Sequence, residues 1–179
     1  MNQIPVPLEP ILHQMRFRLI DVAEIPGDLV GITIPGARYS QTTHSTGEPF
    51  EVMGDRDVII TPNNFRRLSP GGGAYATKIS QEIFVRCRHR NELDQHDRKP
   101  LLTGNLDTLR LLVADALDGY LPVDLADNVL TIEPLYLEGG FFRASPTKEH
   151  HFWGVTQLVF TAVHEIPRPI GRSYCLWTG

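Results

Sequence analysis

The stretch Tyr75–Tyr120, YATKISQEIFVRCRHRNELDQHDRKPLLTGNLDTLRLLVADALDGY, sets the fold. Its first part alternates: Ile79, Ile83, Val85 and Cys87 share one side, and Lys78, Ser80, Glu82, Arg86 and Arg88 share the other. A period of two with one apolar side marks a half-buried strand. Phe84 departs from the pattern on the polar side. The polar run Arg90–Lys99 reads as a connector. After it the period becomes 3.6, with Leu102, Leu106, Leu109, Val113, Ala116 and Tyr120 on one stripe and Leu112 and Leu117 beside it. Pro100 suits the opening of a helix, Asn105 is a second candidate start as an N-cap, and Gly119 suits its close. A helix this short needs a sheet to lie on.

Outward from this unit, Leu8, Ile11, Leu12, Met15, Leu19 and Ile20 predict a helix over Leu8–Val22, preceded by an extended arm at 1–7. Leu29–Ile34 predicts a strand ended by Pro35-Gly36. Ala37–Asp55 lacks any period and reads as a long loop. Val58, Ile59 and Ile60 predict a short buried strand, and Asn63–Ala74 a second loop. Val129–Leu137 is strand-like with a bend at Pro134, Gly139-Gly140 suggests a tight turn, Phe141–Ala144 starts a return strand, and Ser145–Glu149 forms a hairpin tip. His151–His164 is a second long strand, apolar on both sides: Trp153, Val155, Val159 and Val163 on one, Phe152, Leu158, Phe160 and Ala162 on the other. Either helices cover both sides or one side meets a neighbouring subunit. The extension 165–179 ends in Ile170, Tyr174, Leu176 and Trp177, which are expected to dock on the domain or on a partner. The order predicts a single α+β domain over 1–179. Its sheet is mixed, mainly antiparallel, of four to five strands, with two main helices on one face.

The chain's 179 residues carry a net charge of −4, which argues against general nucleic-acid binding. Two cysteines make no disulfide framework, and Cys87 reads as a small buried hydrophobe. No apolar run approaches a membrane span, and the N-terminus has no basic-then-apolar signal, so folding in a reducing cytoplasm is expected.

No chemistry-bearing constellation emerges. Seven histidines are present. His150-His151 and His164 flank the last strand, and His89 and His96 flank a connector with Glu92 and Asp94. None has metal-ligand spacing, so neither metal nor cofactor is expected. Gly71-Gly72-Gly73 runs into a strand and lacks the lysine of a phosphate loop. No nucleophile elbow occurs, and no catalytic residue is assigned. Arg86, Arg88 and Arg90 form a stripe of one parity joined by Phe84, which suits a salt-bridged subunit contact at least as well as a stacking platform for nucleic acid. The candidate subunit or partner contacts are therefore Phe84, Arg86, Arg88, Phe152, Phe160, Ile170, Tyr174 and Trp177.

This order of elements resembles the tail terminator proteins of long-tailed phages, the minor tail protein U type. The likeness rests on the helix Leu8–Val22, the strand Leu29–Ile34 and the run Val58–Thr61. It continues through ISQEIFVRCR (Ile79–Arg88), LDTLRLLVADALDGY (Leu106–Tyr120), LYLEGGFF (Leu135–Phe142) and WGVTQLVFTAV (Trp153–Val163). The resemblance implies a structural, non-enzymatic virion protein, assembled in the host cytoplasm. It implies a homohexameric ring at the head-proximal end of the tail, with the tail tube protein, a head completion or stopper protein and the tape measure protein as partners. DNA would pass through its channel without specific binding, and no membrane is involved. Another head–tail connector, a tube subunit, or a small-molecule-binding α+β domain are the competing expectations.

Overall fold

A computed structural model describes residues 8–34, 41–43, 56–68, 76–92, 104–146 and 151–167. The elements run α1 (Leu8–Asp21), a single 3-10 turn (Gly27–Leu29), β1 (Val30–Ile34), β2 (Gln41–Thr43), β3 (Arg56–Arg67), β4 (Ala76–Glu92), α2 (Gly104–Leu117), β5 (Tyr136–Pro146) and β6 (His151–Pro167). The strands form one sheet in the order β2-β1-β3-β4-β6-β5. Among the described residues only β1 and β3 pair in parallel, and every other pairing is antiparallel. This is the expected α+β fold, its sixth strand being the three-residue β2 inside the run read as aperiodic.

The centre is the antiparallel pair β4–β6, in register along the full 17 residues of both strands, from Ala76↔Pro167 to Glu92↔His151. At about 3.3 Å per residue each strand is roughly 55 Å long, more than twice the ~21 Å of the 14-residue α2. The alternation in β4 decides which side the helices take. Ile79, Ile83, Val85 and Cys87 are buried, as are Leu158, Phe160 and Ala162 of β6. All of these except Ile79 join Val30, Ile32, Val58 and Ile60 beneath Ile11, Leu12, Met15 and Leu19 of α1 and Leu106, Leu109, Val113, Ala116 and Leu117 of α2. Full burial of each such aliphatic side chain contributes about 1.5–3 kcal/mol.

Gly119, at φ +76°, ends α2 as expected, and its N–H donates to the Leu135 carbonyl (2.8 Å), returning the chain to the sheet. Arg18 ties the two helices together. Its Nε donates to the Ala116 carbonyl at the end of α2 (3.2 Å), and its guanidinium lies 5.0 Å from the Tyr120 ring centroid.

Several boundaries differ from the sequence reading. β4 runs on to Glu92, so Arg90–Glu92 are strand, not connector. β3 passes through Pro62 and Asn63-Asn64 to Arg67. Its register shifts between Pro62 and Phe65, and the buried Gln81 amide donates to the freed carbonyls of Asn63 (3.0 Å) and Asn64 (3.2 Å). Residues 129–135 form no strand beyond the isolated bridge Val123↔Val129, which closes the turn 124–128. Gly139-Gly140 makes no turn: it is a bulge within β5, between the pairs Leu137↔Phe160 and Gly139↔Val159. A Cβ on Gly140 would stand 2.6 Å from the Gln157 carbonyl oxygen, so the backbones meet there only because a side chain is missing. β6 extends to Pro167, past the start assigned to the terminal extension. α2 begins at Gly104, which puts Asn105 inside the helix, and Tyr120 follows its end; Leu112 is exposed. Pro100, Leu102, residues 1–7, most of 37–55 and residues 168–179 lie outside the described residues.

Candidate assembly surface

Both helices lie on one side of the sheet, so the residues of opposite parity form a second face. The register aligns them in rows across β3, β4, β6 and β5. One row is Asp57, Arg88, Val155 and Arg143; the next is Ile59, Arg86, Gln157 and Phe141; a third is Thr61, Phe84, Val159 and Gly139. Phe84, Arg86, Arg88, Val155, Gln157 and Val159 are half-buried, and Phe141 is 48% exposed. The face mixes apolar side chains with charged and polar ones.

Its polar anchor is an ion pair. Asp57 is fully buried, and Arg88 Nε donates to its Oδ1 (2.7 Å) and Oδ2 (2.9 Å), with an Nη2 contact to Oδ2 as well. This fork matches a carboxylate in two directions, and losing either partner would leave the other charge uncompensated. Arg86 stands beside it. Its Nε is buried with no hydrogen-bond partner, and burial, then the neighbouring Arg88, pull its pKa down while Asp57 opposes them. Cys87, between them in sequence, points to the core, where burial drives its thiol pKa far upward and leaves it inert.

Phe84, Arg86 and Arg88 are thus brought together on the face that no described helix covers. Phe160 is not part of it. It is completely buried under the helices, so its assignment as a contact is corrected: even-numbered β6 residues face the core. The backbone of Phe152 pairs with Asn91 and Pro146 at the end of the sheet, and its side chain lies outside the described residues. Ile170, Tyr174 and Trp177 also lie outside them.

Sequence reasoning missed two polar groups and one surface. Arg16 is buried on the core side of α1, donating to the carbonyls of Val30 (2.9 Å) and Gly27 (2.7 Å). A charge on an apolar stripe was the available signal. His164 is buried with both ring nitrogens unpartnered, and burial lowers its pKa. The missed surface follows α2. Asp124 Oδ1 accepts from the N–H groups of Ala126 (2.8 Å) and Asn128 (2.9 Å) and locks a tight turn. That turn presents Leu125, which is 99% exposed. Leu111, Leu121, Val129 and Ile132 are exposed in the same part of the chain.

Among the described residues no group of three or more His, Cys, Asp or Glu is placed to hold a metal ion, and no helix is long and apolar enough to cross a membrane. Comparison with known proteins finds no family model that matches the chain and no matching curated protein.

Proposed function

We propose that this protein is a structural ring-former of a phage tail, a tail terminator that caps the tail tube and offers a surface to the head completion proteins. The reading starts from the resemblance in element order: helix, strands, long strand, helix, and a returning antiparallel pair. What supports it is the long β4–β6 pair with helices on one side and a half-buried, partly apolar face on the other. A subunit that builds a ring needs two different, complementary surfaces that close on themselves. The sheet face that no described helix covers and the exposed apolar residues after α2 are offered as two such surfaces. The ring itself, its six-fold count and its place between tube and head are the proposal. The test is to mix the purified protein with assembled tail tubes and image them by electron microscopy. Density at one tube end, with further tube growth blocked, supports the terminator role. Density along the whole tube, or inside the head vertex, favours a tube subunit or another connector. Protein that never associates with tubes argues against the tail altogether.

A further inference from the structure

We infer that the turn 122–132 is a latch on the outer edge of β6, closed while His164 is neutral and released when that ring takes up a proton. The latch belongs to one molecule and does not depend on the chain forming a ring.

β5 stops short of the end of its partner. Its first pair is Tyr136↔Thr161, whereas β6 continues along β4 to Pro167. From Ala162 onward the side of β6 away from β4 has no strand partner among the described residues. The chain before β5 covers this edge instead, and the Ile132 N–H donates to the Val163 carbonyl (2.7 Å). β5 runs antiparallel to β6, so the residues before Tyr136 lead away in the same direction as those after Thr161. Thr131 and His164 each stand one step past the Ile132–Val163 bond. Ile132 is exposed and Val163 half-buried, but Thr131 is only 3% exposed and His164 2%, so both are turned inward.

Both carry orphaned atoms. Thr131 Oγ1 and His164 Nδ1 and Nε2 are buried with no hydrogen-bond partner. Buried polar atoms are nearly always paired, so three unpaired ones on adjoining segments single out this place. A neutral imidazole can be held there at modest cost. An imidazolium brings a charge and two N–H donors that need acceptors.

No charged group among the described residues answers it. Across β4 stands Ile79, and beyond it on β3 the exposed Arg67, a like charge. Lys78 and Glu165 are opposite each other at the alternate parity, on the other side of the sheet. On β5, Glu138 accepts from Thr161 Oγ1. Of the α2 charges, Arg110 holds Asp107 and Asp115 is exposed; just beyond the helix Asp118 accepts the Leu137 N–H (3.0 Å). Glu133, next to the turn, is exposed.

Moving the turn is the cheapest relief. It is bonded to itself through Leu130 N–H on the Pro122 carbonyl (2.9 Å), the Val123↔Val129 bridge and the Asp124 carboxylate. Beyond it Leu135 N–H is fixed on the Tyr120 carbonyl (2.8 Å), which leaves Glu133-Pro134 as the hinge. Among the described residues, Ile132 to Val163 is the backbone bond that ties the turn to the sheet. Releasing such a unit costs less than parting the 17-residue β4–β6 pair. Opening returns the ring to water and to its ordinary pKa of 6.5, while burial holds it lower in the closed form. The open form therefore binds more protons below 6.5, and acid favours it. It bares the β6 edge from Ala162 on, whose backbone groups can then pair with an extended segment.

Hydrogen exchange followed by NMR on the full chain, corrected for the intrinsic pH dependence of exchange, tests this from about pH 8 to about pH 5. Protection of the Ile132 amide is expected to fall by up to about tenfold per pH unit below 6.5, while Val85 and Leu158, paired at the centre of the sheet, keep theirs. His164→Leu is expected to abolish the fall. The wild type alone also decides the matter, because the ring's own NMR titration is expected to run together with the change at Ile132. Constant protection of Ile132 while the ring titrates overturns the latch. So does an equal fall in His164→Leu, or a simultaneous loss at Val85 and Leu158, which would mean that acid unfolds the whole domain.

Discussion

Arg88 on β4 holds the buried carboxylate of Asp57 on β3 through both of its oxygens, with Nε 2.7 Å from Oδ1 and 2.9 Å from Oδ2. The pair lies across the β3–β4 register on the face that no described helix covers. Removing one partner strands the other charge. Arg88→Met is expected to cost about 3–5 kcal/mol in urea denaturation, because Asp57 remains without its counter-charge. Adding Asp57→Asn is expected to recover a large part of that loss. Additive losses in the two single variants and the double variant would mean that the pair is not coupled.

The two neighbouring faces of α2 predict different costs for the same chemistry. Leu109 is 2% exposed and packs in the core; Leu112 is 42% exposed. Leu109→Ala is expected to lose about 2–5 kcal/mol. Leu112→Ala is expected to lose less than about 0.5 kcal/mol in the dissociated chain. A denaturant melt of each variant at low protein concentration checks both.

His164 predicts a stability that falls with acid. Its folded pKa lies below the ordinary 6.5, because burial disfavours the imidazolium. In the fold the ring takes up its proton at lower pH than in the unfolded chain, where it does so near 6.5. The unfolded state then binds more protons, so the histidine's contribution is full above that pH and is lost below it. The slope is at most about 1.4 kcal/mol per pH unit. His164→Leu is expected to flatten the pH dependence in this window. Identical slopes in the two proteins would mean that His164 is protonated in the fold.

Gly140 predicts a steric penalty. An added Cβ meets the Gln157 carbonyl oxygen at 2.6 Å, and that oxygen belongs to the backbone of β6. Gly140→Ala is expected to cost about 1–3 kcal/mol by thermal melting, as overpacking does. Gly139→Ala serves as the control for conformational cost alone, since nothing stands within 4 Å of its Cβ position.

The sequence made the layer order legible because three segments carry a clean period. Ile83, Val85 and Cys87 in β4, the α1 stripe and the α2 stripe each bury one side against the same core. The rest was hidden where residues act against their local preference. Pro62-Asn63-Asn64 has the chemistry of a turn, yet the Gln81 amide satisfies the bulge and lets β3 continue. Gly139-Gly140 likewise signals a turn, but its use is close approach of two strands. Parity alone put Phe84, Arg86 and Arg88 on one face. It could not name Asp57 as the partner of Arg88, because cross-strand neighbours depend on a register that no local pattern encodes. Phe160 was misassigned for the same reason. Both sides of β6 are apolar, so the side that meets the helices is set by its partner strands.

If this chain acts by joining copies of itself into a closed object, native mass measurement of the purified protein at micromolar concentration will show it. One discrete species at six times the 20.1 kDa of a single chain, sensitive to salt, is expected. A mass of one chain, unchanged by concentration and by added tail tubes, would contradict it.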